Sequence, residues 1–185
     1  MLLDTPLCDF GWKAPNFTLK NANGDGFTMS DYLGDKGLVI MFICNHCPFV
    51  VHVNPEITKL ASEYQKRGIK FIAISSNDIE KYPEDAPHYM RIKAKAENYT
   101  FPYLYDEYQE VAKKYDAACT PDFYLFNADL KLVYRGQLDD SRPGNGLPLN
   151  GKDLRDALEN LLSGKKINPL QKPSIGCNIK WKPQI

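Results

Sequence analysis

Two cysteines separated by two residues form the pattern in this sequence that is most typical of thiol redox chemistry. They lie in the run Cys44-Asn45-His46-Cys47-Pro48. An apolar run, residues 37–43, precedes them and a segment with helical spacing follows, which places both sulfurs between a buried strand and a helix N-terminus. The partial positive charge of that helix end lowers the pKa of a thiol, and His46 could add a second positive charge. The resulting thiolate would attack disulfides or peroxides.

The segments around the cysteines predict a strand-helix-strand unit with parallel strands. Residues 37–43 show no polar alternation, which is typical of a central strand covered on both faces. The helix should kink or restart near Asn54-Pro55, itself a helix start signal, and a second strand covers residues 69–75. The cysteines then lie at the carboxyl end of the first strand, the usual edge for sites in open α/β sheets. Helical spacing predicts one buried face formed by Val50, Val53, Ile57, Leu60 and Tyr64.

Weaker patterns predict the remaining elements. Short alternations on either side of residues 21–26 favour an N-terminal β-hairpin, and Ser30 or Asp31 could cap a single helical turn after it. The tail from Lys165 onward contains three prolines and little periodicity, so we expect no regular element there. Further helical patterns lie at about residues 84–98, 107–115 and 152–163, and further short strands at 101–105, 123–126 and 130–134.

Size and charge limit the classes of function. The chain has 185 residues, 23 Lys and Arg against 23 Asp and Glu, and 43% hydrophobic residues. These proportions suit one globular domain, residues 1–164, with a tail, residues 165–185, packed on it. Zero net charge gives no electrostatic footprint for nucleic acid or anionic lipid, and no apolar run approaches the roughly 20 residues that span a bilayer. The start of the chain lacks a signal-peptide pattern, so we expect a cytosolic protein without nucleic-acid or membrane partners.

The five cysteines are too few and too scattered for a small secreted disulfide scaffold. In a reducing compartment they should mostly be thiols. Cys8 lies in a segment rich in proline and glycine, and we assign it no role. The cysteine positions are Cys8, Cys44, Cys47, Cys119 and Cys177.

A metal-binding interpretation is the non-enzymatic alternative. No second Cys-x-x-Cys completes a four-thiolate zinc site, so we predict no resident metal. His52, together with His46 and the two cysteines of the motif, could nevertheless deliver a metal, or the thiols could act as a redox sensor.

Three separated motifs make the chain similar to a known group of proteins. Together with the order of the predicted elements, they resemble the peroxiredoxin-like group with Cys-x-x-Cys in the redoxin (AhpC/TSA-type) branch of the thioredoxin-like superfamily. The resemblance implies an α/β protein with the thioredoxin fold: a central mixed β-sheet flanked by helices, an N-terminal β-hairpin extension and an irregular C-terminal tail. The motifs are Cys-Asn-His-Cys-Pro at 44–48, Arg-Gly-Gln-Leu-Asp-Asp at 135–140 and Gly-Cys-x-Ile-Lys-Trp at 176–181.

The resemblance also implies a thiol-disulfide oxidoreductase that needs no cofactor beyond its own redox-active disulfide. Cys44, nearer the helix tip, would attack a protein or low-molecular-weight disulfide, and Cys47 would resolve the mixed disulfide. His46 would stabilise the thiolate and make the disulfide more oxidising, and Pro48 would shape the site. The buried acid that thioredoxin uses as a proton acceptor is replaced here by Leu38.

A second half of the site is expected around Thr120-Pro121. In this fold Pro121 would be a cis proline facing the two sulfurs, and it would leave the backbone there free to pair with an extended substrate strand. Cys119 would lie close to the site. Cys177 could be a resolving thiol if the tail folds across the site, and otherwise it is a packing residue.

A peroxidase is the enzymatic alternative. In peroxiredoxins a Thr-x-x-Cys replaces Cys-x-x-Cys, so the peroxidatic sulfur would be Cys47. Two features depart from that pattern: Cys44 stands where threonine orients the peroxide, and Thr120-Pro121 occupies the region that supplies an arginine. Arg135, on a neighbouring predicted strand, could substitute for that arginine or could be a surface charge.

Overall fold

The computed structural model describes residues 2–4 and 9–183, so Cys8 lies outside the described residues. Two short 3-10 turns, Met29–Asp31 and Pro83–Asp85, accompany the regular elements. The strands are β1 (Leu2–Asp4), β2 (Thr18–Asn21), β3 (Gly26–Thr28), β4 (Gly37–Phe42), β5 (Ile69–Ser75), β6 (Tyr103–Tyr105), β7 (Cys119–Thr120), β8 (Asp122–Asn127), β9 (Leu132–Gly136) and β10 (Ile175–Asn178). The helices are α1 (Pro48–Gln65), α2 (Pro87–Ala96), α3 (Glu110–Lys114) and α4 (Lys152–Leu162).

The main sheet has seven strands in the order β3-β2-β6-β5-β4-β8-β9. Strand β4 runs parallel to β5 and antiparallel to β8, so the sheet is mixed. All six residues of β4 are buried, which confirms that the unbroken apolar run forms a central strand. The N-terminal hairpin β2-β3 extends the sheet at one edge. This arrangement confirms the predicted thioredoxin fold, with its mixed sheet flanked by helices.

The main sheet separates two hydrophobic cores. Alternate residues of β4 point to opposite faces, with Val39 and Met41 in one core and Leu38 and Ile40 in the other. Helices α1, α2 and α4 contribute to the first core, whereas α3 and the segment before β2 contribute to the second. Both cysteines of the motif belong to the first core. Among the described residues, no helix has the length and apolar character needed to cross a bilayer.

Helix α1 runs unbroken through Pro55, so the expected restart near Asn54 does not occur. The residues predicted for its inner face are all buried. Pro55 lies on the exposed side of the helix. Because proline has no N–H, one helix carbonyl lacks its usual partner, and water can bind that carbonyl on the exposed side. The N-cap residue of the turn Met29–Asp31 is Thr28, which makes no side-chain capping hydrogen bond. The expected cap by Ser30 or Asp31 is therefore wrong.

The C-terminal tail packs along the domain and contains a regular strand, which corrects the expectation of an irregular tail. Strand β10 forms a second, three-stranded sheet in the order β1-β10-β7. Both pairings in this sheet are antiparallel, and Cys177 lies opposite Thr120. Periodicity could not reveal this strand, because it is short, flanked by prolines and defined by its partner rather than by its own pattern.

Candidate active site

The motif connects strand β4 to helix α1, as the sequence predicts, but the two cysteines hold different positions from those expected. Cys47 is the N-cap residue of α1, with extended backbone angles (φ −62°, ψ 121°), and Pro48 is the first helical residue. Proline suits that position because its missing N–H would have no helical partner. The sulfur nearer the helix tip is therefore Cys47, and the expectation that Cys44 occupies that place is wrong.

The other half of the site is the peptide bond between Thr120 and Pro121, which is cis, as the resemblance implies. The hydroxyl of Thr120 lies 3.6 Å from Cys44 Sγ, and the Thr120 carbonyl oxygen lies 3.3 Å from Cys47 Sγ. Cys44 and Cys47 are unbonded thiols, with 1% and 0% of their surface exposed. The site therefore brings together both sulfurs and the Thr120-Pro121 turn in a closed, water-excluded position.

The two thiols have opposite electrostatic environments. The hydrogen bond to the Cys47 sulfur, burial and the negative charge of Asp85 all raise the pKa of Cys44 well above its usual value. Hydrogen bonds lower the pKa of Cys47, chiefly the one from the Cys44 thiol, with help from the Cys177 thiol and the Val50 N–H, and they overcome the opposing effect of burial. These environments favour the thiolate on Cys47 over the thiolate on Cys44.

His46 is held by Asp85, a buried residue that sequence reasoning missed. Its Nδ1 lies 2.6 Å from Asp85 Oδ2, and its ring stacks on Tyr82 at a centroid distance of 5.4 Å. Asp85 Oδ1 also accepts the backbone N–H of Asn45 at 2.7 Å, and Oδ2 accepts Asn77 Nδ2 at 2.7 Å. The carboxylate thus orients both the loop between the cysteines and the His46 ring. No sequence signal marks Asp85, which lies in an ordinary polar segment.

One cluster among the described residues has metal-ligand spacing, and it differs from the expected one. The ligand atoms of Cys44, His46 and Asp85 lie within 4.8 Å of one another. His52 is not in this cluster, because its Nε2 pairs with the hydroxyl of Ser141. The oxygens of Asp85 are already engaged by four hydrogen bonds, so a metal would have to displace these donors.

The structure places Cys177 at the site. Its thiol contacts the Cys47 sulfur, and this contact, after burial, raises the pKa of Cys177 to about 11. Cys119 is adjacent in sequence to Thr120 but has a different environment, because its sulfur lies 3.9 Å from the Pro121 carbonyl oxygen and 3.8 Å from that of Ser174. Of the two accessory cysteines, Cys177 is therefore the one that the described part of the tail brings against the motif.

Arg135 lies away from the sulfurs, so the structure does not support its use as a peroxiredoxin-type arginine. It pairs with Tyr124 across strands β8 and β9, and Tyr124 belongs to the core on the opposite face of the sheet from Cys44 and Cys47. Its guanidinium lies 3.1 Å from Asp122 Oδ2 and 4.7 Å from the centre of the Tyr124 ring. Arg135 is thus a buried structural charge rather than a surface one.

Comparisons with known proteins find a peroxiredoxin and a thiol-disulfide oxidoreductase among the relatives of this chain. Mitochondrial peroxiredoxin PRX1 of Saccharomyces cerevisiae is 30% identical over 132 residues, which cover 70% of this chain and 50% of the yeast protein. The thiol-disulfide oxidoreductase ResA of Geobacillus thermodenitrificans is 25% identical over 134 residues, which cover 69% of this chain and 70% of ResA. The chain thus spans about half the length of the yeast relative.

A solved structure is similar over nearly all of its length. The crystal structure of an uncharacterized conserved protein from Geobacillus kaustophilus has 55% sequence identity and a TM-score of 0.97, covering 100% of this chain and 98% of that one. The AhpC/TSA family matches residues 10–135, a region that contains the cysteine motif, the cis proline and the whole seven-stranded sheet except the last residue of β9. The chain belongs to the AhpC/TSA family of the thioredoxin-like superfamily.

Proposed function

We propose that this protein is a thiol-disulfide oxidoreductase that uses Cys44 and Cys47 through a mixed-disulfide intermediate. The observation that carries the proposal is the pair of buried, unbonded thiols beside the cis Thr120-Pro121 turn, and the pKa shifts of the two thiols favour the thiolate on Cys47. One thiolate next to one protonated thiol is the arrangement that a two-step exchange requires, because the first attacks and the second resolves.

The proposed order of attack starts at Cys47. Its thiolate attacks one sulfur of a substrate disulfide, the substrate S–S bond breaks, and the departing thiolate takes up a proton from solvent. Cys44 then loses its proton and attacks Cys47 Sγ, which releases the second substrate thiol and leaves a Cys44–Cys47 disulfide. This order reverses the one expected from the sequence, because the helix begins after Cys47.

The family supports protein or low-molecular-weight thiols and disulfides as substrates, and a cytosolic location stays a prediction. Neither sulfur is exposed, so a substrate must first move the segment that covers them. Strand β10 is part of that cover, since it pairs with Thr120 directly beside the sulfurs.

A redox titration with mass mapping tests this proposal. The purified protein is equilibrated in glutathione buffers of graded potential, quenched with an alkylating reagent and digested without reduction. We expect a single two-electron transition in which Cys44 and Cys47 become linked. Loss of the disulfide in Cys47→Ser, with retention in Cys119→Ser, would support the assignment. Oxidation that leaves both Cys44 and Cys47 alkylated would contradict it.

Peroxide reduction is the second candidate, and the thiolate character of Cys47 favours it. Cys47 would attack the peroxide, releasing water or an alcohol, and Cys44 would resolve the sulfenic acid to the same disulfide. The position of Arg135 argues against it. Peroxide consumption that is lost in Cys47→Ser but retained in Cys44→Ser would establish this activity, whereas no consumption above that of free cysteine would exclude it.

A further inference from the structure

The edge of the cis-proline turn is occupied by this chain's own tail. In the fold family this backbone is left for an extended substrate strand, but here Cys177 pairs with Thr120 and Asn178 pairs with Cys119. The fit is close: a Cβ atom on Gly176 would lie 2.0 Å from the Thr120 carbonyl oxygen, so only glycine allows this approach. Strand β10 is therefore paired directly with the backbone of the cis-proline turn.

Hydrogen bonds hold the tail after Cys177 in a fixed position. The Ile179 N–H donates to the Ala118 carbonyl at 3.0 Å, and the Ile179 side chain is buried. The Lys180 N–H donates to Asn77 Oδ1 at 2.9 Å, and the Lys182 N–H donates to Gln109 Oε1 at 2.9 Å. These bonds fix the segment that follows Cys177, while Cys177 itself pairs with Thr120 and packs against the core that contains Cys47.

We propose that Cys177 is a third redox thiol, which exchanges disulfide bonds with Cys47 and so carries oxidising equivalents between the buried pair and the surface. This inference rests on the proposed function. Cys44 and Cys47 are closed off from solvent, whereas Cys177 is half-buried. A thiol that touches the buried nucleophile and reaches the surface can accept the disulfide without opening the site.

The proposed exchange breaks one disulfide bond and forms another. Cys177 loses its proton and attacks Cys47 Sγ of the Cys44–Cys47 disulfide, so that a Cys47–Cys177 bond forms and the Cys44–Cys47 bond breaks. Cys44 leaves as a thiolate and takes up a proton. An external thiol then loses its proton and attacks the Cys177 sulfur, which returns Cys47 as a thiolate and leaves a mixed disulfide on Cys177. A second external thiol loses its proton and attacks the external sulfur of that bond, so that the oxidised external disulfide is released and Cys177 takes up a proton. No oxidant beyond the substrate disulfide is needed.

Disulfide mapping of a Cys44→Ser variant tests the proposal. The variant, also carrying Cys8→Ser, is treated with glutathione disulfide and digested without reduction. We expect a Cys47–Cys177 disulfide as the main product, with Cys44→Ala giving the same result. Adding Cys177→Ser should leave glutathione bound to Cys47. A Cys44→Ser protein that keeps glutathione on Cys47 while Cys177 stays reduced would overturn the proposal.

A glycine substitution tests the same contact without removing a sulfur. In the Cys44→Ser background, Gly176→Ala should slow formation of the Cys47–Cys177 bond by roughly tenfold, because β10 must shift away from Thr120. Gly26→Ala is the matched control, since a Cβ there meets nothing within 4 Å. If the wild type forms Cys44–Cys47 but no variant links Cys47 to Cys177, this inference fails and the proposed function stands. If no variant and no wild-type sample forms either bond, the proposed function fails.

Discussion

Asp85 contributes to the difference in pKa between the two cysteines of one short loop. Its buried carboxylate is among the causes that raise the pKa of Cys44, while its hydrogen bonds to Asn45 and His46 fix the loop that separates the sulfurs. Cys47, at the helix cap, instead gains donors from the Cys44 thiol and the Val50 N–H. The two sulfurs thus differ in pKa, and the thiol at the helix end has the lower value.

An Asp85→Asn substitution should lower the pKa of Cys44. The Coulomb repulsion between two negative groups a few ångströms apart is removed, so the upper thiol transition should move to lower pH. Thiolate ultraviolet absorbance, followed against pH in the reduced protein, measures this shift. Cys47→Ser is the control, and it should lack the lower transition. An upper transition that keeps its wild-type position would contradict the assigned role of Asp85.

The lowered pKa of Cys47 also sets the sign of a pH effect. Because the folded protein binds fewer protons at this thiol than the unfolded chain, the thiolate stabilises the fold above the ordinary thiol pKa. That contribution is lost as the pH falls through the lowered value. Cys44 has the opposite sign, since its raised pKa stabilises the fold at lower pH and the effect is lost as the pH rises.

Sequence reasoning identified residues that lie together at the candidate site but not their supporting contacts. The Cys-x-x-Cys pair, the cis proline and the option of Cys177 at the site follow from local motifs and the family resemblance. Asp85 lies 40 residues from Asn45 and reaches it only through folding, so no spacing rule could reveal it. The position of Cys47 at the helix cap was predictable, because Pro48 is itself a signal for the first helical residue.

At the scale of elements, strand alternation decides which side chains can act together. Strands β8 and β9 pair so that Tyr124 and Arg135 share a face, and that face is turned away from the sulfurs. A neighbouring position in sequence or strand order was therefore not enough to bring Arg135 to the site. The alternation of the central strand β4 was hidden in its sequence, because both of its faces are apolar.

Arg135→Met should destabilise the protein without slowing thiol exchange. It removes the cation that pairs with the fully buried Asp122, and breaking such a pair costs about 3 kcal/mol or more. Urea unfolding measures the loss, and glutathione disulfide reduction per folded molecule measures the chemistry. Arg67→Met, which breaks an exposed pair with Glu159, should cause a smaller loss. An Arg135→Met variant of normal stability with abolished exchange would place Arg135 in the reaction after all.

For the whole molecule, the tail joins the two parts of the fold that form the site. The seven-stranded sheet carries the cysteine motif, and the small sheet β1-β10-β7 carries Cys177 across the cis-proline turn. The sequence supports the centre of the large sheet because its inner strands are continuous apolar runs and helix α1 has helical spacing. The small sheet depends on pairing between segments that are distant in sequence, since β7 and β10 are separated by most of the last third of the chain. Such pairing leaves no local pattern.

The most direct test of the central claim is to identify which sulfur binds glutathione first. Two variants are compared at neutral pH with glutathione disulfide: Cys44→Ser with Cys177→Ser, and Cys47→Ser with Cys177→Ser. In each, only one cysteine of the motif remains and Cys177 cannot resolve the adduct. We expect rapid formation of a stable adduct on Cys47 in the first variant and little or none on Cys44 in the second. An adduct that forms on Cys44 but not on Cys47 would contradict the account.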